Sequence, residues 1–281
     1  MKSAKNLLIN KTAGALSERN YILLLRLISL VLRFFGHDSI RKLQQISVSL
    51  YSVGTFKVTK VTLFSGKEFM VTNPIRANRL LKGLDHAGER LLRRYELPNR
   101  KGFSACTMFL DVGANVGELS LLMSTKVNMV IAIEPDPIAR HCLEFNLHEI
   151  ANVVVMSCAL GEEKGTAPLF LLPSSADSSL FCPQASDVPL IDVEVVRGDD
   201  LLLNFLNSND VLVIKMDAEG FEPEVLRGMQ QLLLRASLIC VDSGEERGGA
   251  STVNDCVDLL ERVDFQVSVT KHLITIGERG D

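Results

Sequence analysis

The stretch Phe109-Leu-Asp-Val-Gly-Ala-Asn-Val-Gly-Glu118 constrains the fold of this 281-residue chain more than any other. An apolar run ends at Asp111, and Gly113 and Gly117 bracket a tight turn into an apolar-periodic helix. Glycine permits positive φ and lets a ligand approach the backbone. The first turn of the helix leaves backbone N–H groups unsatisfied. Such a turn sits at the carboxyl end of a strand, where open α/β sheets bind ligands. Tight strand–helix packing also demands G-x-x-x-G, so the rest of the chain has to decide between the two.

From Thr107 onward, apolar strands are expected at 107–112, 129–134, 152–157, 210–216 and 237–242. Helices fall near 117–126, 137–149, 222–234 and 252–263. Nearly continuous apolar strands alternating with helices mean a parallel sheet covered on both faces. The final pair within 264–277, FQVSV and HLITI, has too little chain between its strands for a parallel crossover and should be antiparallel. Upstream, 46–72 alternates as strands with a hairpin turn at Ser65-Gly66. Asn73-Pro74 ends that run, and 75–96 reads as a helix with a stripe of Leu80, Leu81, Leu84, Leu91 and Leu92. The organisation expected is a basic arm and apolar helix over 1–36, a hairpin-plus-helix cap over 37–104, and the sheet domain over 105–281.

Apolar residues at 47 % supply a core and exclude a disordered or low-complexity chain. The net charge of −4 hides a segregation. Residues 1–105 hold 19 Lys and Arg against 6 Asp and Glu, whereas the remainder is strongly acidic. A basic front half suits an anionic membrane surface, a nucleic acid or an acidic partner. Nucleic acid is not expected, because the aromatic interleaving of a base-stacking platform is missing. Residues 21–35, YILLLRLISLVLRFF, are too short for a span of ~20 residues. Arg19, Arg26, Ser29 and Arg33 form one edge of this helix, as in an interfacial helix. The expectation is a cytoplasmic protein held peripherally at a membrane through 21–35; the rival is packing on its own core or in a homodimer. No small-residue cleavage site follows the run, so no secretory signal is expected. Six cysteines without a C-x-x-C pair read as reduced thiols.

Ile133-Glu134-Pro135-Asp136-Pro137 closes the second strand. An acid there can accept both ribose hydroxyls of an adenosine cofactor. Otherwise Glu134 and Asp136 are loop or helix-capping acids, with Pro137 at the first helical position. A nicotinamide dinucleotide calls for a three-glycine cradle, but Asn115 stands at the middle position. S-adenosylmethionine carries no phosphate. Its sulfonium and amino group are cationic and suit acceptors such as Asp111 and the loop carbonyls.

In order along the chain stand FLDVGANVGELS, AIEPDP followed by Asn146, Ala159-Leu160-Gly161, and Ile214-Lys-Met-Asp-Ala-Glu-Gly-Phe-Glu222 with Val225-Leu226-Arg227-Gly228. Over roughly 85–245 this series resembles the FkbM family of class I S-adenosylmethionine-dependent methyltransferases. The resemblance implies a Rossmann-like α/β fold with a seven-stranded, mostly parallel sheet of order 3-2-1-4-5-7-6, strand 7 antiparallel. It implies S-adenosylmethionine as cofactor and a hydroxyl of a sugar, glycolipid or secondary metabolite as acceptor. It also implies that Asp111, Gly113, Asn115 and Gly117 line the methionine part and that Glu134 binds the ribose. Asp136 would lie near ribose or adenine, and Cys158 and Ala159 would meet the adenine edge, with Glu162 just beyond.

Lys215-Met-Asp217-Ala-Glu219-Gly220 closes the fourth strand at the same mouth. Asp217 is the first candidate for a base or an orienting acid, and His86, in the preceding helix, is the second. Glu219 either joins the site or caps the next helix. Asp217 and Asp242 should end neighbouring strands, where oxygen ligands suit magnesium. No third ligand is evident, and no metal is expected. Methylases acting on base amino groups carry Asn/Asp-Pro-Pro-aromatic here, so its absence favours oxygen acceptors. Pro173–Leu180 reads as a lid on a long connection, or as a polar loop. The competing functions are a nicotinamide-dependent oxidoreductase and a non-catalytic, membrane-tethered cofactor-binding protein.

Overall fold

The alternating runs of the front half pair into a small sheet. In the computed structural model, residues 20, 22–24, 27, 46–53, 56–63, 65–171, 178–180 and 188–279 are described. There β1 (Ile46–Val53), β2 (Phe56–Leu63) and β3 (Glu68–Val71) form an antiparallel sheet in sequence order. Val48, Val58, Val61, Phe69 and Val71 are buried beneath it, the alternation of a sheet with one covered face. The single helix expected over 75–96 is two pieces, a 3-10 turn at Pro74–Leu80 and α1 (Leu84–Arg94). Gly83 separates them at φ +94°, a conformation that side chains disfavour.

Next come β4 (Met108–Val112), α2 (Glu118–Ser124), β5 (Met129–Ile133), α3 (Pro137–Leu147) and β6 (Val153–Met156). A second small sheet follows, built from β7 (Ala159–Leu160), β8 (Gly165–Phe170) and β9 (Leu190–Val196) with β9 central. The chain then runs through α4 (Gly198–Leu202), β10 (Leu212–Met216), α5 (Glu222–Arg227), α6 (Gln230–Arg235), β11 (Ala236–Asp242), α7 (Val253–Glu261), β12 (Gln266–Val269) and β13 (Ile274–Glu278).

The large sheet has the order β12-β13-β11-β10-β4-β5-β6. Read from the other edge, this is the 3-2-1-4-5-7-6 order implied by the resemblance. β13 runs antiparallel to both β11 and β12. Every residue of β4 and β10 is buried, as central strands of a doubly covered sheet must be.

β8 and β9 have no counterpart in the sequence expectation, because Gly165, Pro168, Asp192 and Glu194 interrupt their apolar pattern. The helix expected over 222–234 breaks at Gly228. A Cβ on Gly228 would stand 1.8 Å from the Gly161 carbonyl oxygen, so the break brings two backbones into contact. The apolar run 21–35 lies largely outside the described residues. Within it, 22–24 and 27 are helical, Ile22 joins the buried cluster under the cap sheet, and Leu23 and Leu27 are exposed. Among the described residues no helix is long and apolar enough to cross a membrane.

The cap has no separate core. Val48, Val61 and Phe69 share one cluster with Val116, Leu143 and Leu147. The Asn146 side chain on α3 ties the parts together. It accepts from the Met70 backbone N–H at 2.6 Å and donates to the carbonyls of Met70 at 2.8 Å and Val116 at 2.7 Å. The strand β3 is thereby fixed against the glycine turn.

Candidate active site

Register brings the first two site residues together. Lys215 of β10 lies opposite Asp111 of β4 in the parallel ladder, and its Nζ is 3.1 Å from Asp111 Oδ1. Lys215 Nζ also donates to the carbonyls of Val112 at 3.1 Å and Gly113 at 2.7 Å. Ser120 Oγ donates to Asp111 Oδ2 at 2.6 Å. Burial alone would lower the Lys215 pKa, but Asp111 and Asp217 reverse that and hold it above its ordinary value. Asp111 is therefore paired within the protein.

The glycine turn follows. Gly113 has φ +70°, and a Cβ there would stand 1.9 Å from the Asp217 carbonyl oxygen. This glycine is required by the approach of the chain leaving β10. Asn115 holds φ +53° and its Oδ1 accepts from Arg76 of the cap. Gly117 caps α2 at φ +88°, and its added Cβ would meet Leu143 Cδ1 at 2.6 Å. It does not line the cleft, so helix packing explains this glycine.

Around the turn opens a cleft with about 1180 Å³ of empty space, counting the part open to solvent. Asp111, Gly113, Asn115, Glu134, Asp136, Cys158, Ala159 and Asp217 all line it. His86 does not. It sits in the first turn of α1, and the cleft-lining residues Leu91, Arg94 and Tyr95 belong to the far end of that element. At 1.5 Å rise per residue, His86 is roughly 12 Å along the axis from Arg94.

Glu134 is 6 % exposed. Its Oε2 accepts from the Asn115 N–H at 2.8 Å and its Oε1 from the Asp136 N–H at 2.9 Å. Each oxygen keeps a further lone pair for a ligand hydroxyl. Burial, and then the nearby Asp136 charge, push Glu134 up to about 7. Asp136 is the N-cap of α3, accepting from Ile138 and Ala139 N–H, and its Oδ2 accepts from Ser178 Oγ at 2.5 Å. It thus caps the helix and lines the cleft at once. Ser179 Oγ donates to the Glu219 carbonyl at 2.7 Å, and Leu180 lines the cleft. The described end of the Pro173–Leu180 segment therefore closes on the site; 172–177 lie outside the described residues.

On the β10 side, Tyr95 is 1 % exposed and its hydroxyl donates to Asp217 Oδ2 at 2.7 Å. Burial, and then the Asp217 charge, hold the Tyr95 phenol well above its ordinary value. The neighbouring Arg94 pairs with Asp242 Oδ2. The two acids at the ends of β10 and β11 are thus each held by the end of α1, and Asp217 Oδ1 is buried without a hydrogen-bond partner. Asp217 gathers with Glu219 and Glu246, with one carboxylate oxygen from each lying within 4.8 Å of the others. Burial, and then Asp217, push Glu246 up to about 8. The loop carrying Asp217 and Glu219 is set by Glu222, whose Oε1 accepts from Ala218 N–H at 3.1 Å and Gly220 N–H at 2.9 Å. The N-cap residue of α5 is Phe221, whose side chain makes no capping hydrogen bond.

Arg76, Arg79, Arg94, Tyr95, Glu118 and Glu246 also line the cleft, and no motif in the sequence singles them out; over 75–96 the local signal is the leucine stripe. Glu118 stands out: it is 3 % exposed, and its Oε1 has no hydrogen-bond partner. A buried acceptor left without a partner costs about 1–3 kcal/mol. Its place in the first turn of α2 returns about 0.3–1 kcal/mol, too little to account for it.

Residues 111–267 match the family described as Methyltransferase FkbM domain. The chain is 28% identical over 188 residues to Methyltransferase 1 of Beauveria bassiana (strain ARSEF 2860), covering 59% of this chain and 74% of that protein. It is 28% identical over 165 residues to the hexuronic acid methyltransferase AglP of Haloferax volcanii, covering 57% of this chain and 64% of the relative. Against methyltransferase sdnD of Sordaria araneosa it is 26% identical over 155 residues, covering 43% of this chain and 60% of the relative. For the last two, the match spans less than two thirds of the relative's length.

Proposed function

The chain belongs to the FkbM methyltransferase domain family, and on that footing we propose that it is an S-adenosylmethionine-dependent methyltransferase acting on a hydroxyl of a sugar, glycolipid or secondary metabolite. The observation that carries the reading is the pairing of two acids across one cleft. Glu134 is a buried acceptor at the end of β5. Asp217, at the end of β10, lines the same space and has a buried, unpartnered Oδ1. When bound, the cofactor supplies an electrophilic methyl group on a sulfonium. Glu134 would hold the ribose hydroxyls, and Cys158 and Ala159 would flank the adenine. Asp217 orients the acceptor hydroxyl and takes its proton at Oδ1, while Tyr95 fixes Oδ2. A positioned acid of this kind supports proton transfer in the displacement. The name of the Haloferax relative supports a sugar acceptor, and the absence of an Asn/Asp-Pro-Pro-aromatic element after β10 favours oxygen over an amino acceptor.

The test is calorimetry with S-adenosylhomocysteine, followed by transfer of labelled methyl from S-adenosylmethionine to fractionated hydroxyl-bearing extracts. Wild type should bind the nucleoside and label an oxygen. Asp217→Asn should lower turnover while leaving affinity within a few-fold. Absence of nucleoside binding overturns the cofactor reading, label on nitrogen overturns the acceptor reading, and full Asp217→Asn activity removes Asp217 from the chemistry.

A further inference from the structure

Resting on the methyltransferase reading, we propose that Glu118 binds the α-ammonium group at the amino-acid end of the cofactor. By charge alone, Asp111 and the loop carbonyls suit that group. The fold has given them to Lys215. Its Nζ lies 3.1 Å from Asp111 Oδ1 and donates to the Val112 and Gly113 carbonyls. Those three contacts match the three donors of an ammonium. Asp111 thus already carries a buried cation of its own.

Glu118 is the acid of the same turn that remains. It lines the cleft at 3 % exposure, with Oε1 unpartnered. A carboxylate buried in this way calls for a cation or a strong donor. The strand order says which part of the ligand arrives. Cys158 and Ala159 at the adenine edge and Glu134 at the ribose lie on the β5–β6 side of β4. The remaining end of the ligand therefore reaches over β4 toward α2, where Glu118 begins the helix. Arg76 donates to Asn115 Oδ1 in the same turn and brings a guanidinium to that end, matching the α-carboxylate in charge. The other cleft acids, Asp217, Glu219 and Glu246, gather past β10.

Two ligands separate this role from a structural one. S-adenosylhomocysteine carries the amino-acid end; 5′-methylthioadenosine keeps the nucleoside and lacks that end. Calorimetry on Glu118→Gln should show S-adenosylhomocysteine weakened about tenfold or more, the scale of one charge-assisted hydrogen bond. Its affinity for 5′-methylthioadenosine should be unchanged. Equal loss for both ligands, or no loss for either, overturns the assignment. Glu118→Asp keeps the charge on a shorter stem and should fall between wild type and Glu118→Gln. Should both variants fail to fold, wild type is measured against S-adenosylhomocysteine lacking the α-amino group, and equal affinity overturns the proposal. If wild type binds 5′-methylthioadenosine but gains nothing from the amino-acid end, this inference fails and the nucleoside site stands. If it binds neither ligand, the methyltransferase reading fails as well.

Discussion

Protonation of Glu134 should govern cofactor affinity near neutral pH. Burial lifts this carboxyl from an ordinary 4.5 to about 7, and a ribose hydroxyl donates to the ionised form. If that form alone binds, about one tenth of the protein is competent at pH 6 and about nine tenths at pH 8. S-adenosylhomocysteine affinity should then rise about tenfold across that window, near 1.4 kcal/mol. None of the described histidines lines the cleft, but Glu246 does and is pushed up to about 8. Glu134→Gln removes the Glu134 share of the titration and should make the profile shallower. Affinity should also fall, because the amide turns an NH2 toward either the Asn115 or the Asp136 N–H. The folding side has the opposite sign. A carboxyl with a raised folded pKa holds its proton in the folded state between 4.5 and about 7. Stability is full below that window and declines as pH rises through it, by about 3 kcal/mol in all from this residue. Saturating nucleoside should reduce the decline. Calorimetry from pH 6 to 8 and thermal melts from pH 4.5 to 8 make the check. A flat wild-type affinity profile with the protein folded throughout would refute the reasoning.

Two other outcomes follow from the packing. Gly113→Ala should lower the melting temperature sharply, since its Cβ would stand 1.9 Å from the Asp217 carbonyl at φ +70°, whereas Gly165→Ala, with nothing within 4 Å, should be close to neutral; normal stability with lost nucleoside binding would instead make Gly113 a ligand contact. Tyr95→Phe removes the donor on Asp217 Oδ2 and should lower turnover while leaving S-adenosylhomocysteine affinity within a few-fold; unchanged turnover would limit Tyr95 to packing.

The order of strands and helices after Thr107 was legible because hydrophobic periodicity is a local property. The antiparallel end followed from a connection too short to cross over. The motif series also marked where the cleft would open, since a strand, a glycine turn and an acid at the next strand's end are neighbours in any such sheet. What those residues touch was decided by tertiary structure. Gly161 and Gly228 meet backbone to backbone, and Gly113 makes room for the Asp217 carbonyl. Asn146 reaches 76 residues back to Met70, and Tyr95 reaches 122 residues forward to Asp217. Lys215 meets Asp111 because two strands share a register. β8 and β9 stayed hidden because half-exposed strands carry polar and turn-forming residues. Sequence periodicity determines which face of an element is buried. Which polar side chain finds a partner, and which one, like Glu118, is left facing the cleft, depends on how distant elements cross, and only the packed chain fixes that.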